Sequence, residues 1–127
     1  MRVLALDYGL ARTGVAVSDE TGSIARPLTV VARAGSAAGL QSVKELVSAE
    51  GAGLVVVGLP VSLDGGEHQQ AREVRSFVGR LREALEVPVV LYDERFTTAL
   101  ARRRGGTSEL DARAAALILE DYLASTT

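Results

Sequence analysis

The chain has 127 residues, 47% hydrophobic and 24% charged, which suits one soluble domain, residues 1–127, with a real core. Cysteine is absent, which excludes a disulfide framework, a thiolate zinc site and a cysteine nucleophile, and fits the reducing cytoplasm expected as its location. No apolar run nears the ~18 residues of a membrane span, and a net charge of −2 excludes a generally basic nucleic-acid coat.

Residues 2–6 and 13–18 are apolar runs around the loop Asp7-Tyr8-Gly9-Leu10-Ala11-Arg12, which predicts two antiparallel strands with a carboxylate at the lip of the sheet. Gly9 and Gly14 bracket the turn and suit positive φ or close passage to a ligand. After the turn Asp19-Glu20-Thr21-Gly22, Ser23 to Ala32 reads as a third strand, completing a meander. Pro27 cannot donate to a ladder, so an edge strand or a bulge is expected there. Gly35 and Ser36 open a helix with Leu40, Val43, Leu46 and Val47 at helical spacing, and Gly51 and Gly53 lie past its end.

Leu54 to Val57 is a continuous apolar run, the mark of a strand buried on both faces. Residues 67–86 carry a helical stripe of Ala71, Val74, Phe77, Val78, Leu81 and Leu85. Val89 to Tyr92 is a further buried strand ending in Asp93-Glu94-Arg95. A short helix near residues 97–103 and a last helix capped at Thr107 or Ser108 follow. The last helix carries a stripe of Leu110, Ala114, Leu117, Ile118 and Tyr122. Alanines at 112, 114, 115 and 116 suit a close approach to the sheet. The pattern predicts an α/β fold: a mixed five-stranded sheet, a three-strand antiparallel meander plus two parallel strands, flanked by helices.

Asp7, Asp93, Glu94 and Asp111 are the informative residues. A strand-end acid is ordinarily just solvated, and a first-turn acid ordinarily favours the helix dipole. The topology nevertheless gathers them at the carboxyl ends of the strands, where α/β sheets bind ligands. Clustered carboxylates repel unless a cation joins them, and Mg²⁺ or Mn²⁺ suits oxygen-only ligands. Such a site suits two-metal phosphodiester hydrolysis.

These residues also carry a family resemblance. Residues 7–16, Asp7-Tyr8-Gly9 through Ala16, resemble the opening motif of the YqgF/RuvX proteins. Gly58-Leu59-Pro60 with Asp64-Gly65 resembles their second motif, Asp93-Glu94-Arg95-Phe96-Thr97-Thr98 their third, and Asp111 with Ala114-Ala115, Ile118-Leu119 and Tyr122-Leu123 their fourth. The resemblance implies a ribonuclease H-like fold and a metal-dependent nuclease. It implies Asp7, Glu94 and Asp111 as catalytic metal-binding acids, Asp93 as a further candidate, and Thr97 and Thr98 at the substrate. It further implies action on precursor 16S ribosomal RNA at its 5′ end, or, alternatively, on the branched DNA of Holliday junctions. The segment between Thr98 and Asp111 is shorter than in that family.

Arg12, Arg95, Arg102, Arg103 and Arg104 are candidate phosphate contacts, since they flank the acids in an otherwise acidic chain. His68 reads as a surface residue, and Gly65-Gly66 serves a plain turn as well as an anion site. A phosphotransferase reading, suggested by Asp7-x-Gly9, needs two lobes closing on ATP, and 127 residues hold one. A purely binding module would gain nothing from clustered negative charge. A monomer or a homodimer is expected, the two-fold dimer being the form that junction cutting requires.

Overall fold

Arg2–Asp7 form β1 and Arg12–Ser18 return beside it as antiparallel β2, with Asp7 opposite Gly14. The computed structural model describes residues 1–60, 69–93 and 108–126. Ala25–Ala32 add β3, two residues later than the sequence pattern suggests, because Asp19 organises a longer turn. Its carboxylate accepts from Thr21 Oγ1 at 2.7 Å, Ser23 N at 2.9 Å and Ile24 N at 3.1 Å. These bonds, that from Thr21 foremost, hold the Asp19 carboxyl down at about 2. A depressed folded-state value gives stability that is present above the unfolded value near ~3.9 and lost as pH falls through about 2. The melting-temperature gap between wild type and Asp19→Ala is therefore expected to close between pH 5 and pH 2.

Pro27 meets both expectations. β3 is an edge strand, and the ladder slips where Val15 pairs with Thr29 and Ala16 with Pro27, leaving Leu28 as the extra residue. Ser36 caps α1 (Ala37–Glu50) by accepting from Gly39 N at 3.0 Å, and Gly51 ends it in the left-handed region at φ 65°. β4 (Ala52–Leu59) runs parallel to β1, α2 (Gln69–Ala84) returns, and β5 (Val89–Asp93) lies parallel to β4. α3 (Ser108–Ser125) completes the described residues. The sheet order is β3-β2-β1-β4-β5. The readings of residues 61–68, including the Gly65-Gly66 loop and His68, and of the short helix at 97–103 lie outside the described residues.

Strand alternation divides the core in two. Leu4, Leu6, Val15, Val17, Val55 and Val57 face α1 and α2, whose Val43, Val74, Phe77 and Leu81 are fully buried against them. Val3, Ala5, Ala16 and Val56 face α3. There the buried arc differs from the stripe expected. Leu119 is fully buried and Leu123 nearly so, whereas Leu117 and Tyr122 are half-buried. A helix so rich in alanine has little amphipathic pattern, and its close approach to β2 and β3 buries a wider arc than a stripe. The side chain of Leu110 lies outside what is described.

Candidate active site

Asp7 ends β1 and is only 4% exposed. Val3 and Ala5 pack toward α3, so period-two alternation puts Asp7 on that face too. Its cross-strand neighbour Gly14 explains how the second acid arrives. A Cβ at Gly14 would stand 1.9 Å from the Asp111 carbonyl oxygen, so the first turn of α3 rests on bare strand backbone. The glycine is there for the chain's own close approach; positive φ is found at Gly22 and Gly51 instead.

Asp111 is thereby set over the ends of β1 and β2, its side chain 13% exposed. Its Oδ2 lies 2.9 Å from Nε of Arg12, the first residue of β2 and on the same face. The contact is an ion pair, and among the described residues this buried oxygen has no hydrogen-bond partner. Fully buried Thr13 points to the other face, and its Oγ1 makes long contacts of 3.4 Å to both N and O of Gly9, tying down the connecting loop.

The structure thus brings Asp7, Asp111 and Arg12 together. It does not bring Asp93 to them. Val90 and Tyr92 pack on the α3 side while Val89 and Leu91 pack on the other, so Asp93 ends β5 exposed on the α1–α2 face. The Tyr92 hydroxyl donates to Asp121 Oδ2 at 3.3 Å, tying the end of β5 to α3; burial first, then the nearby Asp121 charge, pushes this phenol up. Glu94, Arg95, Thr97, Thr98, Arg102, Arg103 and Arg104 lie outside the described residues. Among the described residues no three His, Asp or Glu side chains converge closely enough to hold a metal ion. Asp7 and Asp111 still offer two largely buried carboxylates and no nitrogen or sulfur, a donor set that fits a hard divalent cation.

Sequence reasoning missed Gly14 as the seat of α3, although a lone glycine inside a valine-rich strand is the usual signal of close backbone approach. It also missed Arg33 and Arg80, described below, whose separation in the chain leaves no local motif.

The profile of the RuvX family, described as "Holliday junction resolvase", matches residues 1–125. A relative from Thermoanaerobacter pseudethanolicus, named "Putative pre-16S rRNA nuclease", is 37% identical over 98% of this chain and 97% of its own. One of the same name from Anaplasma marginale is 42% identical over 96% of this chain and 83% of its own. Among solved structures, Thermus thermophilus RuvC superposes with a TM-score of 0.61 at 19% identity, covering 99% of this chain and 96% of that one. The fowlpox virus Holliday junction resolvase gives 0.57 at 14% identity, covering 98% and 99%. At such identities these two speak for the fold, which is ribonuclease H-like. Matched by the profile almost from end to end, and by relatives over most of their own lengths, this chain is a member of the RuvX family.

Proposed function

We propose that this protein is a metal-dependent nuclease that processes the 5′ end of precursor 16S ribosomal RNA. The observation that carries the reading is the seating of Asp111 on Gly14, which places a second acid on the face and edge of Asp7. Relatives matched over 83% and 97% of their own lengths bear the ribosomal name, which favours RNA over branched DNA. Asp93 ends β5 on the opposite face, and the third acid is the one the family resemblance implies, Glu94. Asp7, Glu94 and Asp111 are therefore the acids taken to hold Mg²⁺ or Mn²⁺. Bound in a pair, such ions supply an activated water and charge stabilisation for the leaving 3′-oxygen.

The protein's own part is placement. β1 fixes Asp7 by its pairing with Gly14 of β2, one residue past the Leu6–Val57 pair with β4, and α3 delivers Asp111 at the height that Gly14 allows. Arg12 balances the Asp111 charge from the rim, where its side chain is 44% exposed. Arg95, Thr97, Thr98 and Arg102 to Arg104 are assigned to the substrate.

A cleavage panel tests the reading: a structured ribosomal precursor end, single-stranded RNA, single-stranded DNA and a four-way junction, each with Mn²⁺, Mg²⁺ or chelator. Metal-dependent cutting of the precursor is expected, and preferential cutting of the junction would transfer the assignment to a resolvase. Divalent metal is also expected to stabilise the fold, by about 2.7 kcal/mol at ~100-fold excess over its dissociation constant. For a domain of this size that is a rise in melting temperature on the order of 10 °C. Identical melts with and without saturating Mn²⁺ would count against a preformed site.

A further inference from the structure

On the α1–α2 side of the same sheet edge lies a pocket of about 500 Å³, walled by Tyr8, Leu10, Gly35 and Ser36 and flanked by Arg33 and Arg80. Its floor is rigid: Tyr8 is 5% exposed and stacks on Phe77 with ring centroids 4.4 Å apart. Arg80 reaches across from α2, and its Nη1 donates to Gly35 O at 2.6 Å. Both its terminal nitrogens would lie 3.2 Å from a Cβ at position 35, so the missing side chain is what admits the guanidinium. Arg33 is the only non-glycine residue with positive φ among those described, at 46°. Its N–H donates to Ala11 O at 3.0 Å, and its carbonyl accepts from Ser36 Oγ at 2.7 Å. The backbone is pinned and the side chain exposed.

Neither arginine is in an ion pair among the described residues, although the protein is acidic overall. The nearby start of α1 is already capped by Ser36 Oγ, so the pocket's affinity resides in the two guanidinium groups. Guanidinium forks suit phosphate oxygens. Leu10, 75% exposed, adds an apolar rim of the kind a sugar or base can cover.

We propose that this pocket holds a backbone phosphate of the nucleic-acid substrate, a reading that rests on the nuclease assignment above. Asp7 and Tyr8 are consecutive and point to opposite faces, so a strand crossing the edge at Asp7 passes from the acids to the pocket. The two arginines then set the direction in which the strand runs over the edge.

Binding of a labelled single-stranded RNA, followed by fluorescence anisotropy in chelator at three salt concentrations, tests this. Wild type is compared with Arg33→Gly, Arg80→Gln, the double variant, and Arg26→Gln as a charge control elsewhere on the surface. The double variant is expected to bind at least ~5-fold more weakly, with a log K against log salt slope flatter by about 0.7 for the phosphate lost, while the control binds as wild type. Arg33→Gly keeps the test clear of folding, because glycine suits a φ of 46° and its melting temperature should hold. With metal present, the double variant should raise KM and keep kcat, as befits a contact away from the bond that breaks. Wild-type affinity and slope in the double variant, or a fall in kcat at unchanged KM, would overturn the pocket and leave the nuclease reading standing. A wild type that binds no nucleic acid at all would overturn both.

Discussion

Asp7→Asn is expected to abolish metal-dependent cleavage while the protein stays folded. The substitution keeps the shape of a side chain that is 4% exposed while removing its charge and turning one accepting oxygen into a donating amide. A metal's charge stabilisation is worth several kcal/mol, and at about 1.4 kcal/mol per tenfold the loss should reach a thousandfold or more. Stability should hold or rise slightly, because one of two acids sharing a face no longer repels the other. Single-turnover cleavage beside a thermal melt separates these effects. Wild-type cleavage by the variant with Mn²⁺ would refute the site, and a collapsed melt would refute the claim that the charge serves chemistry and not folding.

Gly14→Ala should be among the most destabilising glycine-to-alanine changes at the described residues. The new Cβ would meet Asp111 O at 1.9 Å, Asp111 C at 2.3 Å and Ala112 N at 3.0 Å, all of them backbone atoms that no rotamer change can move. Overpacking usually costs 1–3 kcal/mol, and a backbone-on-backbone clash belongs at the upper end, about 3 kcal/mol. Because α3 must lift to make room, Asp111 moves with it, and a misplacement of ~1 Å is enough for a hundredfold loss of rate. Gly79→Ala is the matched control. It lies within α2 with nothing inside 4 Å of the new Cβ, so it should stabilise by up to about 1 kcal/mol. If both variants melt alike, the seat of α3 is softer than described.

Local chemistry made much of the fold readable. Runs such as Leu54 to Val57, the cap at Ser36, the stop at Gly51 and the break at Pro27 each state their own geometry, and each is found where its residues demand. Where the signal is a difference between faces, alanine erases it, which is why Leu117 stood in for Leu119 on α3. The candidate site divides the same way. Asp7 and Asp111 were legible from topology and family resemblance, and alternation along β5 separates Asp93 from them. The reason Gly14 must be glycine is a contact with a helix from the far end of the chain, which no window of sequence contains. Arg33 and Arg80 meet only through a pocket built from α2 and two loops. Glu94 and the arginines from 95 to 104 are assigned by sequence alone.

The dependence of Asp111 on Gly14 also sets when the proposed site can form. During synthesis the chain emerges in order, and its first acid appears early, on a hairpin that can form at once from neighbouring residues. Its partner belongs to α3, which follows all five strands, so the two carboxylates can share a face only after the whole sheet has been made. Until then Val3, Ala5, Ala16 and Val56 form an uncovered apolar sheet face, and nascent chains can aggregate there or recruit a chaperone. On the proposed site, the docking of α3 that covers this apolar face is the same event that brings the two acids together.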